Sequence, residues 1–565
     1  MIKITTQIFF VLSLQILAGL ILKGQESKPV AASESVVLIT DRTLYVASEQ
    51  ILFSAFLQSR DGSDTGPGSR ILYVELITPE GNQLYGNKYS VNDNLSSGYL
   101  SIPGDIITGI YYLRAYTKYM RNYGPKSYHY TRIKIINPES KDVQVGTIKN
   151  NPSQIISIEE RTGRTVGSFT ISHDKYVYAP GDSVHLLIAG TDSIKSSYRG
   201  LCLSVVPEFS ESLDQDIPSL NEPYENNGFY YPETRSLSIT GKLIDNTSGK
   251  ALSRTRINLS IFGNGRDFMA VMTDSSGRFF FSLPKYTGYR DLFLCADNIP
   301  AANPKILVDN DFCTNPVHIP TNIFTLTPKE RETALNMAIN IQLGSYFKTG
   351  QNSDSVNERR EDRPFYGKPN VTLDIDKYIQ LPTLEDYFNE LTTLVSIRKS
   401  KGEKYFWLFG EQEGMTVYNP LVLIDLVAIN NPALVLKIPP SEVSRIEVVN
   451  HLYLKGDQIY GGIINIISKK GDFAEINLPS SGVFLNYKFL ADNSNDPGIN
   501  QRQPHKPDTR NTLFWNPHLL LNKDHIARET FKLSGAPGNY LIILNAINSK
   551  GEAIEQISRL EVRNF

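Results

Sequence analysis

An internal repeat constrains this chain more than any other feature. Asp41-Arg42-Thr43-Leu44-Tyr45 leads to Glu49-Gln50-Ile51-Leu52, and Asp174-Lys175-Tyr176-Val177-Tyr178 leads to Gly181-Asp182-Ser183-Val184-His185. Each copy has an acidic-basic pair, a tyrosine four residues after the acid, a turn, and then alternating apolar positions. Self-similarity of this kind points to tandem copies of one fold. Period-two alternation also marks runs such as Ile71-Leu72-Tyr73-Val74-Glu75-Leu76-Ile77, and it places one set of side chains on each face of a strand. The chain holds 30 Tyr and 26 Phe, residue types that suit a pleated, half-buried surface. At 565 residues and 41% hydrophobic content it is long enough for about three to five cores. The expected class is mainly β and multidomain, with tandem β-sandwiches plus a small α+β domain. The net charge of −2 comes from balanced pools and implies no attraction to nucleic acid.

Residues Ile8 to Leu22 are largely apolar, follow Lys3, and give way to Lys23-Gly24-Gln25. Their length and flanks are those of a cleaved secretory signal peptide, residues 1–24. The mature chain is then expected to be exported, to the periplasm or to an outer-membrane-associated site, with no transmembrane span of its own. No cysteine lies near the cleavage site to carry a lipid. Of the three cysteines, Cys202 and Cys295 sit in strand-like runs. For Cys295 and Cys313 both a disulfide and burial as small hydrophobes fit the sequence.

The repeat entrance, together with Gly98-Tyr99-Leu100-Ser101-Ile102-Pro103 and Gly109-Ile110-Tyr111-Tyr112-Leu113-Arg114-Ala115-Tyr116, resembles the macroglobulin-like (Ig-like) β-sandwich domains of the alpha-2-macroglobulin superfamily. The resemblance implies one such domain over 33–137 and a second over 165–235. Ile239-Thr240-Gly241-Lys242-Leu243-Ile244-Asp245 followed by Asp274-Ser275-Ser276-Gly277 and Phe279 to Phe281 is similar to a carboxypeptidase-regulatory-like sandwich, over 236–326. Residues 327–370 are expected to hold one helix, with Thr327 as N-cap, Glu330 three residues on, and Leu335, Ala338, Ile339 and Leu343 on one face, followed by a linker. Leu421-Val422-Leu423-Ile424-Asp425, Pro439-Pro440-Ser441-Glu442-Val443 with Ile446-Glu447-Val448, and Tyr460-Gly461-Gly462-Ile463-Ile464-Asn465-Ile466 resemble, in this order, the plug of a TonB-dependent outer-membrane receptor, over 371–475. A plugged transport barrel needs about 22 strands of roughly 10 residues. Only 95 residues follow Lys470, so the expectation is a plug-like module without its own pore. Residues 476–565 are expected to form a C-terminal β unit, whose Gly535-Ala536-Pro537-Gly538-Asn539-Tyr540 resembles the Gly-Ile-Tyr turn at Gly109.

Catalytic signatures are missing. Gly410-Glu411-Gln412 lacks the preceding cysteine that a macroglobulin thioester requires, and the eight histidines form no His-Glu-x-x-His pair. Neither a cofactor nor a metal is expected. The candidates are contact residues: Arg114, Tyr116, Tyr119 and Arg121, where Arg and aromatics recur as at binding hot spots. The competing reading packs Tyr112, Arg114 and Tyr116 against the sandwich. In the plug-like motif, Asp425, Glu447, Gly461, Gly462 and Asn465 are given structural roles, the glycines as a turn with positive φ.

These readings lead to a noncatalytic exported adaptor or scaffold of a bacterial envelope, binding an outer-membrane protein or transporter through the plug-like module. The alternative is a soluble periplasmic or surface protein that captures a glycan or peptide.

Overall fold

The computed structural model describes residues 34–59, 68–144, 146, 169–190, 198–211, 229–263, 267–297, 299, 302–348, 364–400, 402–429, 431–455, 458–492, 507–548 and 553–564. The expected signal peptide lies outside them. In chain order the first sandwich contributes β1 (Glu34–Thr40), β2 (Leu44–Val46), β3 (Gln50–Ser59), β4 (Ile71–Ile77), β5 (Gln83–Ser90), β6 (Leu95–Ser101), β7 (Gly109–Tyr116) and β8 (His129–Ile136). They form two facing sheets, β1-β3-β6 and β2-β8-β7-β4-β5. β1 alternates buried and half-buried residues, as expected of a strand with one covered face. β4 and β7 are buried at every position, because a further module covers the outer face of their sheet.

The second sandwich begins with β9 (Phe169–His173), β10 (Val177–Tyr178), β11 (Ser183–Gly190) and β12 (Tyr198–Pro207), and then the chain leaves it. A third sandwich follows, from β13 (Ser238–Asp245), β14 (Arg256–Ile261), β15 (Asp267–Met272), β16 (Arg278–Ser282), β17 (Tyr289–Ala296) and β18 (Pro304–Val308). Next come helix α1 (Pro328–Lys348) and an α+β module. The module's strands are β19 (Val371–Asp374), β20 (Val395–Ser400), β21 (Glu403–Leu408), β22 (Leu421–Ile424), β23 (Val427–Ala428), β24 (Val443–Val449), β25 (Tyr453–Lys455), β26 (Gln458–Tyr460) and β27 (Ile463–Ser468). Its main sheet runs β19-β24-β27-β22-β23, with β22 and β27 parallel. β28 (Val483–Lys488) then pairs with β17 and completes the third sandwich's β15-β14-β17-β28 sheet. Finally β29 (Phe514–Asn516), β30 (Ile526–Lys532), β31 (Gly538–Asn548) and β32 (Ala553–Val562) return to the second sandwich, giving β30-β11-β9 and β10-β32-β31-β12-β29.

The architecture is therefore nested rather than serial. The α+β module sits inside the third sandwich, which sits inside the second. Residues 165–235 do not close a sandwich by themselves, 476–565 is not a separate unit, and 236–326 lacks its last strand. Physically, β9 to β12 leave strand edges and an apolar face uncovered until β29 to β32 pair with them.

The two copies share one topology. β1 to β8 correspond in order to β9, β10, β11, β12, β29, β30, β31 and β32, including a parallel first edge, β2 with β8 and β10 with β32. In the first sandwich β4 and β5 are joined by residues 78–82; in the second the same connection is residues 208–513. The repeated motif makes the same hydrogen bonds in each. Asp41 Oδ1 accepts from the Tyr45 hydroxyl (2.7 Å) and Leu52 N (3.1 Å), and Asp174 Oδ1 accepts from the Tyr178 hydroxyl (2.8 Å) and His185 N (3.0 Å). Glu49 accepts from Val46 N as Asp182 does from Ala179 N. Each carboxylate thus satisfies a backbone donor at the corner where the chain changes sheets. The Gly-x-Tyr turns also match: the Tyr111 hydroxyl donates to Ile107 O (2.7 Å) and that of Tyr540 to Ala536 O (3.2 Å).

α1 starts at the expected capping box, Thr327 N to Glu330 Oε2 (2.7 Å) and Glu330 N to Thr327 Oγ1 (3.2 Å). Its buried face differs from the expected one. Ala334, Met337 and Ala338 pack on Leu44 and Val46, while Leu335, Ile339 and Leu343 face outward. Small side chains let the helix lie close to β2.

Two expectations follow. Residues 169–211 alone should remain unfolded, whereas the same segment joined by a short turn to 507–564 should unfold cooperatively in urea; circular dichroism checks both. His129 lies with Nε2 3.0 Å from Leu38 O, and burial lowers its pKa to about 4. The unfolded chain then binds a proton near the ordinary histidine value while the folded chain does not, so stability held at pH 7 falls as pH drops from about 6.5 towards 4, by no more than about 3 kcal/mol. Urea titrations of the wild type and His129→Gln at pH 7 and 4.5 should show a smaller loss in the variant.

Candidate functional site

The four contact candidates converge on a joint inside the molecule. β4 and β7 set Glu75 opposite Arg114 and Tyr73 opposite Tyr116, all on the outer face of the first sandwich. Arg114 Nε donates to Glu75 (2.8 Å) and Nη2 to Cys313 O (3.1 Å). The Tyr116 hydroxyl accepts from Cys313 N (2.7 Å). Arg121 donates to Asn310 O (2.9 Å) and Asp311 O (3.0 Å), and its guanidinium lies 4.2 Å from the Tyr230 ring centre. Tyr119 is buried beside them. Arg114, Tyr116, Tyr119 and Arg121 are thus no open surface for another molecule, and three of them contact the third sandwich and its flanks directly. An Arg-aromatic cluster has the same composition whether the surface it binds belongs to the same chain or to another.

Residues that sequence reasoning passed over complete this joint. Lys88 Nζ bonds Asp311, and Lys118 Nζ donates to Ser238 O (2.8 Å) and lies 3.8 Å from both Glu233 and Asp311. The Tyr73 hydroxyl donates to Glu233 (2.9 Å). Burial draws the Lys88 ammonium below its ordinary range against the pull of Asp311, and burial pushes Glu233 up. Burial would raise Asp311 as well, but Lys88 and Lys118 outweigh it and hold that carboxyl low. Two cations and two carboxylates are balanced within the interface, so neither module buries an uncompensated charge. Lys118 stands inside the Arg-aromatic stretch, but neither Glu233 nor Asp311 carries a local signal of its role.

A second joint links the first and second sandwiches. Arg42 donates to Asp41 (2.9 Å), Glu49 (2.6 Å), Leu44 O (3.1 Å) and the Thr512 hydroxyl, and Asn511 donates to Glu49 (2.5 Å) and Met337 O (3.2 Å). A third joint holds the α+β module against β14 and β15. Phe268 and Ala270 pack with Leu421, Leu423, Leu426 and Ala428; Ser260 Oγ donates to Leu426 O (2.8 Å), and Lys455 pairs with Asp267 (2.7 Å).

Within that module the motif residues build the frame. Asp425 and Leu426 have φ of 49° and 73°, and the Asp425 carboxylate accepts from Ser468 N (2.8 Å), Ser468 Oγ (2.6 Å) and Phe473 N (2.9 Å). Glu447 accepts from the Tyr366 hydroxyl and Arg445 Nε (2.7 Å), and Asn465 Nδ2 donates to the Tyr366 hydroxyl (2.7 Å). Only Gly462 of the glycine pair has positive φ, 94°. Gly461 is required for another reason: a Cβ there would lie 2.2 Å from Tyr418 O.

The end of the module where β24 finishes and β22 and β27 begin carries exposed apolar side chains beside the exposed Glu411, Gln412 and Glu413. Gly461 N donates to Asn419 O (3.0 Å) and Glu411 N to Asn450 O (3.0 Å), which draws three loops together. Val417 is 81% exposed and Leu454 67%, with Leu454 paired across the β25-β26 hairpin to Ile459, itself exposed, and Phe409 and Tyr418 also exposed. Clustered exposure of this kind marks interaction surfaces.

The cysteines are free and buried, and Cys295 and Cys313 make no disulfide. Among the described residues no three His, Cys, Asp or Glu side chains converge to hold a metal, and no helix is long and apolar enough to cross a membrane.

No protein-family model matches the chain, and no curated protein matches it. Solved structures similar to it include a Salmonella alpha-2-macroglobulin variant, at 10% identity over 94% of this chain and 40% of that one, with a TM-score of 0.24. The native conformation of Escherichia coli alpha-2-macroglobulin gives 10% identity, 95% and 40% coverage, and a TM-score of 0.24. A Yersinia pseudotuberculosis adhesin gives 10% identity, 48% and 57% coverage, and a TM-score of 0.13. The chain spans about 40% of the length of the two alpha-2-macroglobulins.

Removing one member of the first joint should be costly. Arg114→Ala leaves Glu75 buried without its cation and is expected to lower stability by about 3–5 kcal/mol. The pair Arg114→Met with Glu75→Met, which leaves no stranded charge, should lose less; urea unfolding distinguishes the two.

Proposed function

We propose that this chain is a noncatalytic exported scaffold of a bacterial envelope whose α+β module recognises an outer-membrane protein, such as a transporter. The observation that carries the proposal is the exposure of Phe409, Val417, Tyr418, Leu454 and Ile459 on the loops and hairpin at one end of a module whose other side packs on Phe268 and Ala270 of the third sandwich. The third sandwich grips the module from β14 and β15, and polar joints tie that sandwich to the first. The module is thereby held in one orientation, which lowers the ordering cost of docking. The motif through Asp425, Glu447, Gly461, Gly462 and Asn465 resembles a TonB-receptor plug, and that resemblance directs the choice of partner. In this reading the sandwiches, macroglobulin-like in sequence, are spacers.

A second reading is supported by a different place. Phe262, Phe473 and Phe484 line a cleft between the third sandwich and the module, with Asp291 and Asn486 at its edge, 2.8 Å apart. Phe473, Ala474 and Glu475 beside it all have positive φ, between 50° and 61°, a strained run for non-glycine residues. Such a cleft suits capture of a glycan or a short peptide by ring stacking and amide hydrogen bonds.

Photo-crosslinkers at Val417 and Leu454 in the full-length protein, followed by envelope fractionation, separate the readings. An outer-membrane protein captured at both positions, and lost in Val417→Asp with Leu454→Asp at unchanged thermal stability, is the expected result. No crosslinked partner, together with a rise in Tm on adding glycan or peptide that Phe484→Ala removes, would favour capture instead.

A further inference from the structure

Among the described residues two lysines are buried, Lys88 and Lys118, and both stand in the joint between the first and third sandwiches. Their surroundings differ. Lys118 Nζ donates to Ser238 O (2.8 Å) and Ser238 Oγ (3.1 Å), whereas Lys88 Nζ is aimed at one oxygen, Asp311 Oδ2, and is in direct contact with it. Aromatic rings lie beside that contact, with the Lys88 nitrogen 3.9 Å from the centre of Tyr487 and 5.9 Å from that of Phe312. The backbone holds both ends. Lys88 lies within β5, opposite Tyr73 of β4, and the chain around Asp311 is pinned by Arg121 at Asn310 O and Asp311 O and by the Tyr116 hydroxyl at Cys313 N. Two reacting groups fixed in contact gain an effective molarity of about 10⁵–10⁸ M when the geometry is right. A site closed to water also excludes the agent of the reverse reaction.

We infer that Lys88 and Asp311 condense into an isopeptide bond, which joins the first and third sandwiches covalently through their side chains. The step balances without a co-reactant. The Lys88 ammonium passes one proton to Asp311 Oδ2, and the resulting amine attacks Cγ. A C–N bond forms and the Cγ–Oδ2 bond breaks. Oδ2 leaves as water after taking a second proton from the nitrogen, and the third hydrogen stays on the amide. Burial lowers the Lys88 pKa and so favours the amine. Burial would raise Asp311, but Lys88 and Lys118 hold it low, so this carboxylate takes up a proton only as Lys88 gives one up. Lys118 Nζ, 3.8 Å from Asp311 Oδ1, offsets the negative charge that this oxygen carries during attack. Condensation also replaces a desolvated charge pair with a neutral amide. Arg42 and Arg114 sit in comparably buried pairs and cannot react in this way, because a guanidinium keeps its proton in proteins.

Mass spectrometry of the purified protein tests this. The intact mass of the wild type should fall one water short of the value its sequence gives. After denaturation, trypsin should leave residues 71–114 uncut at Lys88 and joined to residues 306–329, and fragmentation should place the branch at Lys88 and Asp311. Lys88→Arg keeps the cation and removes the nucleophile. That variant should have the full mass, release 306–329 as a linear peptide, and show unchanged circular dichroism with a lower Tm. The wild-type measurement stands by itself if the variant fails to fold. A wild type of full mass that trypsin cuts after Lys88, a water loss that persists in Lys88→Arg, or a branch at Lys118 in place of Lys88 would each overturn the inference.

Discussion

The pairing of β12 with β29 and β31 is the contact on which the remaining architecture depends. Leu203 to Val205 meet Phe514 to Asn516 on one side, and Tyr198 to Pro207 meet Tyr540 to Asn548 on the other. These two ladders close the second sandwich around residues 208–513. For a flexible loop the closure entropy grows only as the logarithm of length, about 0.6 kcal/mol per doubling. A folded insert shortens the loop further, because the chain enters and leaves the third sandwich through strands of one domain. The insertion is therefore thermodynamically cheap provided that its two ends emerge close together. The same device recurs one level down, where the α+β module separates β18 from β28.

Nesting would still leave loosely strung modules if the joints were bare. They are instead desolvated and polar. The Lys88, Lys118, Glu233 and Asp311 group and the Arg114-Glu75 pair each mix ion pairs with a bond to a backbone carbonyl of the neighbouring unit, and the Arg42 cluster adds to its ion pairs a bond to the Thr512 hydroxyl across its joint. Apolar contact alone would tolerate sliding. A buried carboxylate that must find a particular ammonium does not, since displacement leaves both unpaired in a low-dielectric site. These groups set orientation, and the apolar clusters around them supply most of the burial. The first and second copies of the repeat differ on this point: Arg42 is enclosed, whereas the corresponding Lys175 is half exposed and bonds only to its own loop.

Much of this was legible in the sequence, and the rest was hidden for identifiable reasons. Alternation and aromatic content reported β-sandwiches because side-chain period is a local property. The Asp-Arg and Asp-Lys motifs reported two copies because each carboxylate caps its own corner. Strand pairing across hundreds of residues is not local, so the segments 165–235 and 476–565 read as separate. The Gly538-Asn539-Tyr540 turn was nevertheless a trace of their union, since it is the seventh strand of the same fold that Gly109 begins in the first copy. The Arg-aromatic cluster left two readings open in the sequence, a contact surface for another molecule and packing within the chain, because composition does not say whose surface such a cluster meets. In α1 the period was correct and the buried face was not, because close approach to β2 favours alanine over leucine. The open end of the α+β module depends on which three loops meet, which no single stretch encodes.

Nesting also has a consequence in time. On a ribosome adding about 5–20 residues per second, the interval between completion of β12 and the arrival of β29 is roughly 15–60 s. Throughout it, Leu201-Cys202-Leu203-Ser204-Val205-Val206 exists as an apolar strand whose partners have not been made. Such a strand offers both edges to any passing chain. The inner modules can fold while the outer one waits, so the polypeptide matures from the middle outward. The part of the molecule made last is what protects a part made early, and truncation near the C-terminus would unmake a domain that begins at Phe169.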